Sequence, residues 1–186
     1  MATPTVSHPR PLTYEDYCLL PEDGKRYELI EGEIFVSPAP FLRHQLVSGR
    51  IAAALIDALD KPELARVFAA PTDLILARTT VVQPDLIIVG QARQSILTAR
   101  AVEGPPDVVV EILSPSSLDR DQYIKRKLYE KFSIPEYWVV DPEQALVTVY
   151  RLDEGSYGIR ANYDRSSVLE SPDFPSLRVP LADVFR

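Results

Sequence analysis

Pro106-Asp107-Val108-Val109-Val110-Glu111-Ile112-Leu113-Ser114-Pro115-Ser116-Ser117 is the stretch on which the reading of this chain turns. Residues 107–113 are apolar enough to be a buried strand, and the Ser-Pro-Ser-Ser run stops it and offers caps for a following helix. Glu111 interrupts the apolar run from inside. An isolated buried charge costs several kcal/mol unless it is paired or bound to a metal. Val81-Val82-Gln83-Pro84-Asp85-Leu86-Ile87-Ile88-Val89 carries a second acid, Asp85, in the same setting. One acid on each of two hydrophobic strands makes a divalent-metal site the leading reading.

Outward from these strands, the pattern changes period several times. Thr13-Tyr14-Glu15-Asp16 sets a capping Thr ahead of acids, which predicts a short helix over 14–20 that ends before Pro21. Residues 26–30 and 33–37 read as short strands around Glu31-Gly32, an N-terminal β-hairpin. A long helix over 41–59 would place Leu46, Ile51, Ala54, Leu55 and Ala58 on one face. Strands are expected over 66–69, 73–77 and 81–89, with 90–106 as the connection to the Glu111 strand. A helix over 118–132 and strands over 136–140 and 146–151 follow, and Pro172, Pro175 and Pro180 break the remainder into short pieces. The fold class is therefore α/β, a mixed β-sheet flanked by helices. Residues 1–11 are expected as a flexible tail and 12–186 as a single domain.

Composition narrows the function classes. The chain has 186 residues, 46% hydrophobic and 25% charged, enough for one sizeable core. Cys18 is the only cysteine, so no internal disulfide forms and no Cys/His cluster holds a structural zinc; it reads as a small, half-buried apolar residue in a reducing cytosol. No segment approaches the ~20 apolar residues that span a bilayer, and the N-terminus lacks the apolar centre of a secretory signal, so a soluble cytoplasmic protein is expected. Net charge is -7 and the pI about 4.9. Such a molecule repels polyanions as a whole, so any nucleic-acid contact must be local or metal-assisted.

The helix over 118–132 supplies a third candidate. At about 100° per residue, Leu118, Asp121, Lys125, Leu128, Tyr129 and Phe132 share one sector, while Arg120, Tyr123, Arg126, Lys127 and Glu130 share the solvated side. Lys125 lies near the middle of the inward face, and a strand-turn-helix connection brings it back across the Glu111 strand. Two plainer readings compete: an Asp121–Lys125 ion pair within the helix, worth a few tenths of a kcal/mol, and a lysine that snorkels to water. Two acids and an inward lysine fit metal-assisted phosphodiester hydrolysis. Carboxylates hold Mg²⁺ through hard oxygens, a backbone carbonyl such as that of Ile112 is a further ligand, and the lysine stabilises charge developing on the phosphorus.

Four motifs carry a family likeness. Arg26-Tyr27-Glu28-Leu29-Ile30-Glu31-Gly32-Glu33, Val82-Gln83-Pro84-Asp85, the 106–116 stretch and Pro135-Glu136-Tyr137-Trp138-Val139-Val140-Asp141 resemble, in this order, the Uma-type putative endonuclease family of the PD-(D/E)XK nuclease superfamily. The likeness runs from about Leu12 to Phe185. It implies a restriction-endonuclease-like α/β core with Mg²⁺-dependent nuclease chemistry, Mn²⁺ being an alternative ion. Asp85 fills the aspartate of the first motif and Glu111 the acid of the second, both as metal ligands. The superfamily's usual lysine would fall at Leu113, and Lys125 takes the place of the lysine that this family carries one helical stretch later. Glu28 and His44 also fall at recurrent positions without an assigned step. Asp73 and Asp121 are supporting candidates.

The expected function is a DNA endonuclease using Asp85, Glu111 and Lys125. The acidic pI opposes it, although residues 118–132 carry five basic residues (Arg120, Lys125, Arg126, Lys127, Lys131) against three acidic (Asp119, Asp121, Glu130). The competing reading is a non-catalytic nucleic-acid-binding or interaction module on a nuclease fold, followed by a structural domain whose acids merely pair with lysines. Cutting both strands of a duplex commonly needs two sites, which makes a homodimer an expectation.

Overall fold

Alternating apolar residues make strands here until a proline or a turn interrupts them, and the element order follows. The computed structural model describes residues 10–37, 41–114 and 120–186; residues 1–9 of the expected tail lie outside these. A one-turn helix α1 (Tyr14–Tyr17) precedes a hairpin of β1 (Arg26–Ile30) and β2 (Glu33–Ser37). Its turn residues Glu31 and Gly32 have φ of 51° and 88°, the backbone that a two-residue hairpin turn requires. Helix α2 (Leu42–Leu55), extended by a π-type turn at Ile56–Asp60, leads into β3 (Ala65–Ala69). Then come β4 (Leu74–Ala77), β5 (Thr80–Val82), β6 (Leu86–Gly90), β7 (Val102–Glu103) and β8 (Val108–Ile112). After α3 (Arg120–Lys131) follow β9 (Glu136–Asp141), β10 (Leu146–Asp153), β11 (Ser156–Asp164), β12 (Val168–Leu169), β13 (Val179–Pro180) and α4 (Leu181–Val184).

The strand expected over 81–89 is in fact two strands in two sheets. Pro84 has no N–H for a ladder and holds Gln83 extended, so Gln83-Pro84-Asp85 is where the chain crosses over. β5 belongs to a sheet ordered β2-β1-β5-β4-β7, and β6 to a six-stranded sheet ordered β11-β10-β9-β8-β6-β3. The larger sheet is mixed, with β8 and β9 parallel and the other neighbours antiparallel. The expected connection over 90–106 contains a 3₁₀ segment (Gln91–Ile96) and β7, which pairs parallel with β4. The mixed α/β class and the N-terminal hairpin stand as expected.

Both faces of the larger sheet are covered, and β8 shows how. Val108, Val110 and Ile112 pack with Val47, Ile51 and Leu55 of α2, with Trp138 and with Val184 of α4. Val109 faces the other way, toward Ile87, Val89, Tyr137 and, from α3, Leu128 and Tyr129. Strand alternation puts Glu111 on the Val109 side, beneath α3. The buried face of α2 is His44, Val47, Ile51 and Leu55, an i, i+3, i+7, i+11 series that leaves Leu46 half exposed at 51% and corrects the expected register of that helix. Among the described residues no helix is long and apolar enough to cross a membrane.

Candidate active site

The crossing at Pro84 sets Asp85 at the mouth of β6 instead of within a strand. The β6–β8 register pairs Leu86 with Val110, so one step further brings Asp85 alongside Glu111. Asp85 is buried, at 4% exposure. Its Oδ2 accepts the Ile112 N–H at 2.7 Å and the Nε2–H of His44 at 3.1 Å, while Oδ1 accepts from Arg26 Nη1 at 3.2 Å. Burial pushes this carboxyl up, but the His44 bond, the Arg26 charge and the Ile112 N–H outweigh it and hold it below the usual carboxylate range. Asp85 is thus ionised and accepts only, so His44 presents an Nε2–H to it.

Glu111 is held from above by α3. Leu128 and Tyr129 bury the inward face of that helix, and Lys125, one turn earlier, comes down on the same side. Lys125 Nζ donates to Glu111 Oε1 at 3.0 Å and to Glu28 Oε1 at 2.9 Å, and Tyr129 donates its hydroxyl to Glu111 Oε1 at 2.6 Å. Glu28 Oε1 also accepts the Gln83 N–H at 2.9 Å. Burial raises the Glu111 carboxyl, Asp85 and Glu28 push it further, and Lys125 and Tyr129 only partly oppose them. For Lys125 burial works downward, but the two glutamates outweigh it and raise the ammonium above its ordinary value. Lys125 is therefore a fixed cation at neutral pH. Its partners sit on β1 and β8, so it reaches across the structure; the side chain of Asp121, its rival partner, lies outside the described residues.

Of the three residues singled out in the sequence, Lys125 touches Glu111, and Asp85 is bonded to the backbone of the residue after Glu111. Three more belong with them. Arg26 and Glu28 project from β1, and His44, a recurrent position without an assigned step, is buried against Asp85. Glu28 had a signal, an acid within the apolar Tyr27–Ile30 run; Arg26 had none. Asp73 stands behind the site, accepting from Tyr17 at 2.9 Å and from Gln83 Nε2 at 2.8 Å. Two further expectations fail. Cys18 is exposed. The outer side of α3 is not all solvated, because Glu130 accepts the Tyr157 N–H at 2.8 Å and Arg126 lies 4.6 Å over the Tyr150 ring, both held by β10 and β11.

The Uma2 family, described as "Putative restriction endonuclease", matches residues 14–182. The chain belongs to the Uma2 family. Among solved structures, this Uma2 protein is similar to a putative nuclease belonging to DUF820 from Anabaena variabilis ATCC 29413, with a TM-score of 0.75 and 24% identity over 94% of this chain and 98% of that one. That likeness bears out the restriction-endonuclease-like fold. A slighter one, to the type IIG restriction endonuclease BpuSI, has a TM-score of 0.40 and 12% identity over 69% of this chain and 13% of that one, and carries no argument. No curated protein matches the chain.

The donor set of this Uma2 site suits a hard divalent cation. Each of the three carboxylates spends one oxygen inward: Glu28 Oε1, Asp85 Oδ2 and Glu111 Oε1. Among the described residues, hydrogen bonds to Glu28 and Glu111 go to Oε1 alone, and Asp85 Oδ1 accepts only from Arg26. Arg26 Nε, His44 Nδ1 and Gln83 Oε1, all in this cluster, are buried with no partner among the described residues, and buried polar atoms left so are few in any fold. Among the described residues no group of three or more His, Cys, Asp and Glu side chains is placed to hold a metal ion. Mg²⁺ requires no such group, since it keeps several waters and takes one or two carboxylates.

Proposed function

We propose that this Uma2 protein is a metal-dependent endonuclease that hydrolyses phosphodiester bonds in DNA, with Asp85 and Glu111 as the ligands of Mg²⁺ (or Mn²⁺) and Lys125 assisting. The observation that carries the reading is the Lys125 ammonium clamped between Glu28 and Glu111, with Asp85 bonded to the N–H of the residue after Glu111. The ion, when bound, polarises a phosphate oxygen and makes its water a better nucleophile. The chain's own residues do the rest. Lys125, kept protonated, donates to a non-bridging phosphate oxygen as negative charge grows there, and it cannot serve as the base. Tyr129 fixes the Glu111 carboxylate from behind, and the Ile112 N–H and His44 fix the orientation of Asp85. Water adds to phosphorus and one P–O ester bond breaks, leaving a phosphate monoester and a hydroxyl.

DNA is the substrate class that the family description supports. With a net charge of -7 the contact is local, and the exposed Tyr123, Lys127 and Lys131 on the outer side of α3 offer it, the two lysines exchanging Glu130 and Glu31 for phosphate. We expect a homodimer, which sedimentation would show, because two copies cut two strands, and a cytoplasmic setting, where the exposed Cys18 stays reduced.

The test is cleavage of plasmid and oligonucleotide DNA, with RNA alongside, in Mg²⁺, Mn²⁺ or EDTA, by wild type, Asp85→Asn and Glu111→Gln. Cleavage should require the ion and fall by about a hundredfold or more in either variant. Cleavage that survives both substitutions removes these residues from the mechanism, and DNA binding without cleavage by wild type makes the protein a non-catalytic module.

A further inference from the structure

We propose that Arg26 is an internal counter-ion: its guanidinium neutralises Asp85 in the ion-free protein and is displaced by the divalent ion. The inference rests on the metal-dependent reading above. Asp85 Oδ2 is committed to two donors that backbone and helix hold in place, the Ile112 N–H and His44. Oδ1 is the oxygen left for an ion, and Arg26 Nη1 sits on it at 3.2 Å. The Glu111 and Glu28 carboxylates lie within electrostatic reach of the same guanidinium and add to its attraction to Asp85.

The attachment has the form of a place-holder. Arg10 shows what a committed pair looks like in this molecule, with Nη1 and Nη2 meeting the two Asp16 oxygens at 2.7 and 2.8 Å. Arg26 gives Asp85 one longer bond, turns Nη2 to the Gln83 carbonyl, and leaves Nε buried without a partner among the described residues. Its side chain is 24% exposed against 5% for Asp85, so it has a way out toward solvent. Lys125 has no such freedom, because two carboxylates hold it. Ion and guanidinium therefore compete for Oδ1, and the competition sets the apparent ion affinity.

The experiment compares wild type, Arg26→Gln, Arg26→Lys and Asp85→Asn by calorimetric Mn²⁺ titration and by melting in EDTA. Arg26→Gln should melt lower in EDTA, by roughly 5–10 °C, bind Mn²⁺ about tenfold tighter or more, and gain more from Mn²⁺ in melting temperature than wild type does. Arg26→Lys keeps the charge but cannot span Asp85 and the Gln83 carbonyl together, so its affinity should fall between the two; it carries the test if the glutamine variant fails to fold. Asp85→Asn should lose Mn²⁺ binding. Mn²⁺ affinity in the Arg26 variants equal to or weaker than a measurable wild-type affinity overturns the counter-ion, as does an unchanged melting temperature of Arg26→Gln in EDTA. Wild type that binds no Mn²⁺ at all overturns the metal-dependent reading itself.

Discussion

Glu111 and Glu136 are glutamates on neighbouring parallel strands, the first partly and the second fully buried, and the molecule keeps them in opposite ways. The β8–β9 register sets Glu136 beside Val108, at the start of the pair, and Glu111 beside Val139, near its end. Alternation turns them to opposite faces, Glu136 with Trp138 and Glu111 with Val109. Glu136 is fully buried and both its oxygens are answered: Oε2 by Trp138 Nε1 at 2.8 Å, Oε1 by Arg151 at 2.9 Å and Ser171 at 3.1 Å. Glu111 has one oxygen answered and two other carboxylates for company. Burial raises both carboxyls. Asp173 gives Glu136 a carboxylate neighbour too, so what separates them is an oxygen of Glu111 that no described residue uses, and burial of an acid does not by itself mark a functional site.

The sharpest way to break this contrast is to exchange each acid for its amide. Glu111→Gln should lower DNA cleavage on the order of a thousandfold, while Glu136→Gln should stay within about twofold of wild type. Comparable losses in both variants, measured as single-turnover rates, would erase the distinction. Removing the cations comes next. Lys125→Met leaves Glu28 and Glu111 buried without their shared counter-charge and should cost about 3 kcal/mol in urea unfolding. Arg151, 38% exposed, leaves Glu136 with Trp138 and Ser171, so Arg151→Met should cost only about 1 kcal/mol after solvent screening. Added Mn²⁺ should restore part of the first loss and none of the second.

The smallest effect is a pH slope. Burial raises the Glu136 carboxyl above its unfolded value of about 4.3. The folded state then binds the proton more tightly, so the contribution is complete below about pH 4.3 and is lost as pH rises through the raised value. The stability advantage of wild type over Glu136→Gln, followed by urea unfolding in EDTA, should therefore shrink from pH 4 to pH 7. An advantage that grows over that range would reverse the sign of the argument.

The same contrast marks what could be read from the sequence. The Glu111 strand was legible because a run of β-branched residues has one reading, and Lys125 because helical periodicity is local. Glu136 opens its strand after Ile134-Pro135, where an acid looks like an ordinary strand end; only the fold brings Trp138, Arg151 and Ser171 around it. Glu28 stands out in the sequence only as a recurrent family position and Arg26 only within a family motif, neither with a place at the site, for a related reason. Their strand reads as half of a local hairpin, and the pairing of Leu29 with Val81 that carries it to the site spans the chain. His44 fell off the expected helix face because Leu46 suggested a register that the packing of Val47, Ile51 and Leu55 does not follow. The single strand expected over 81–89 hid the crossing at Pro84, and with it the reason that Asp85 is free to face Glu111.

That crossing has a mechanical consequence. Arg26 and Glu28 ride on the smaller sheet, Glu111 on the larger, and Asp85 on the three-residue hinge between them, so the polar contacts proposed to do chemistry also rivet two sheets together. A joint of this kind has two duties that share one set of bolts: loosening it to admit an ion or a phosphate slackens the seam, and tightening the seam closes the door on the ligand.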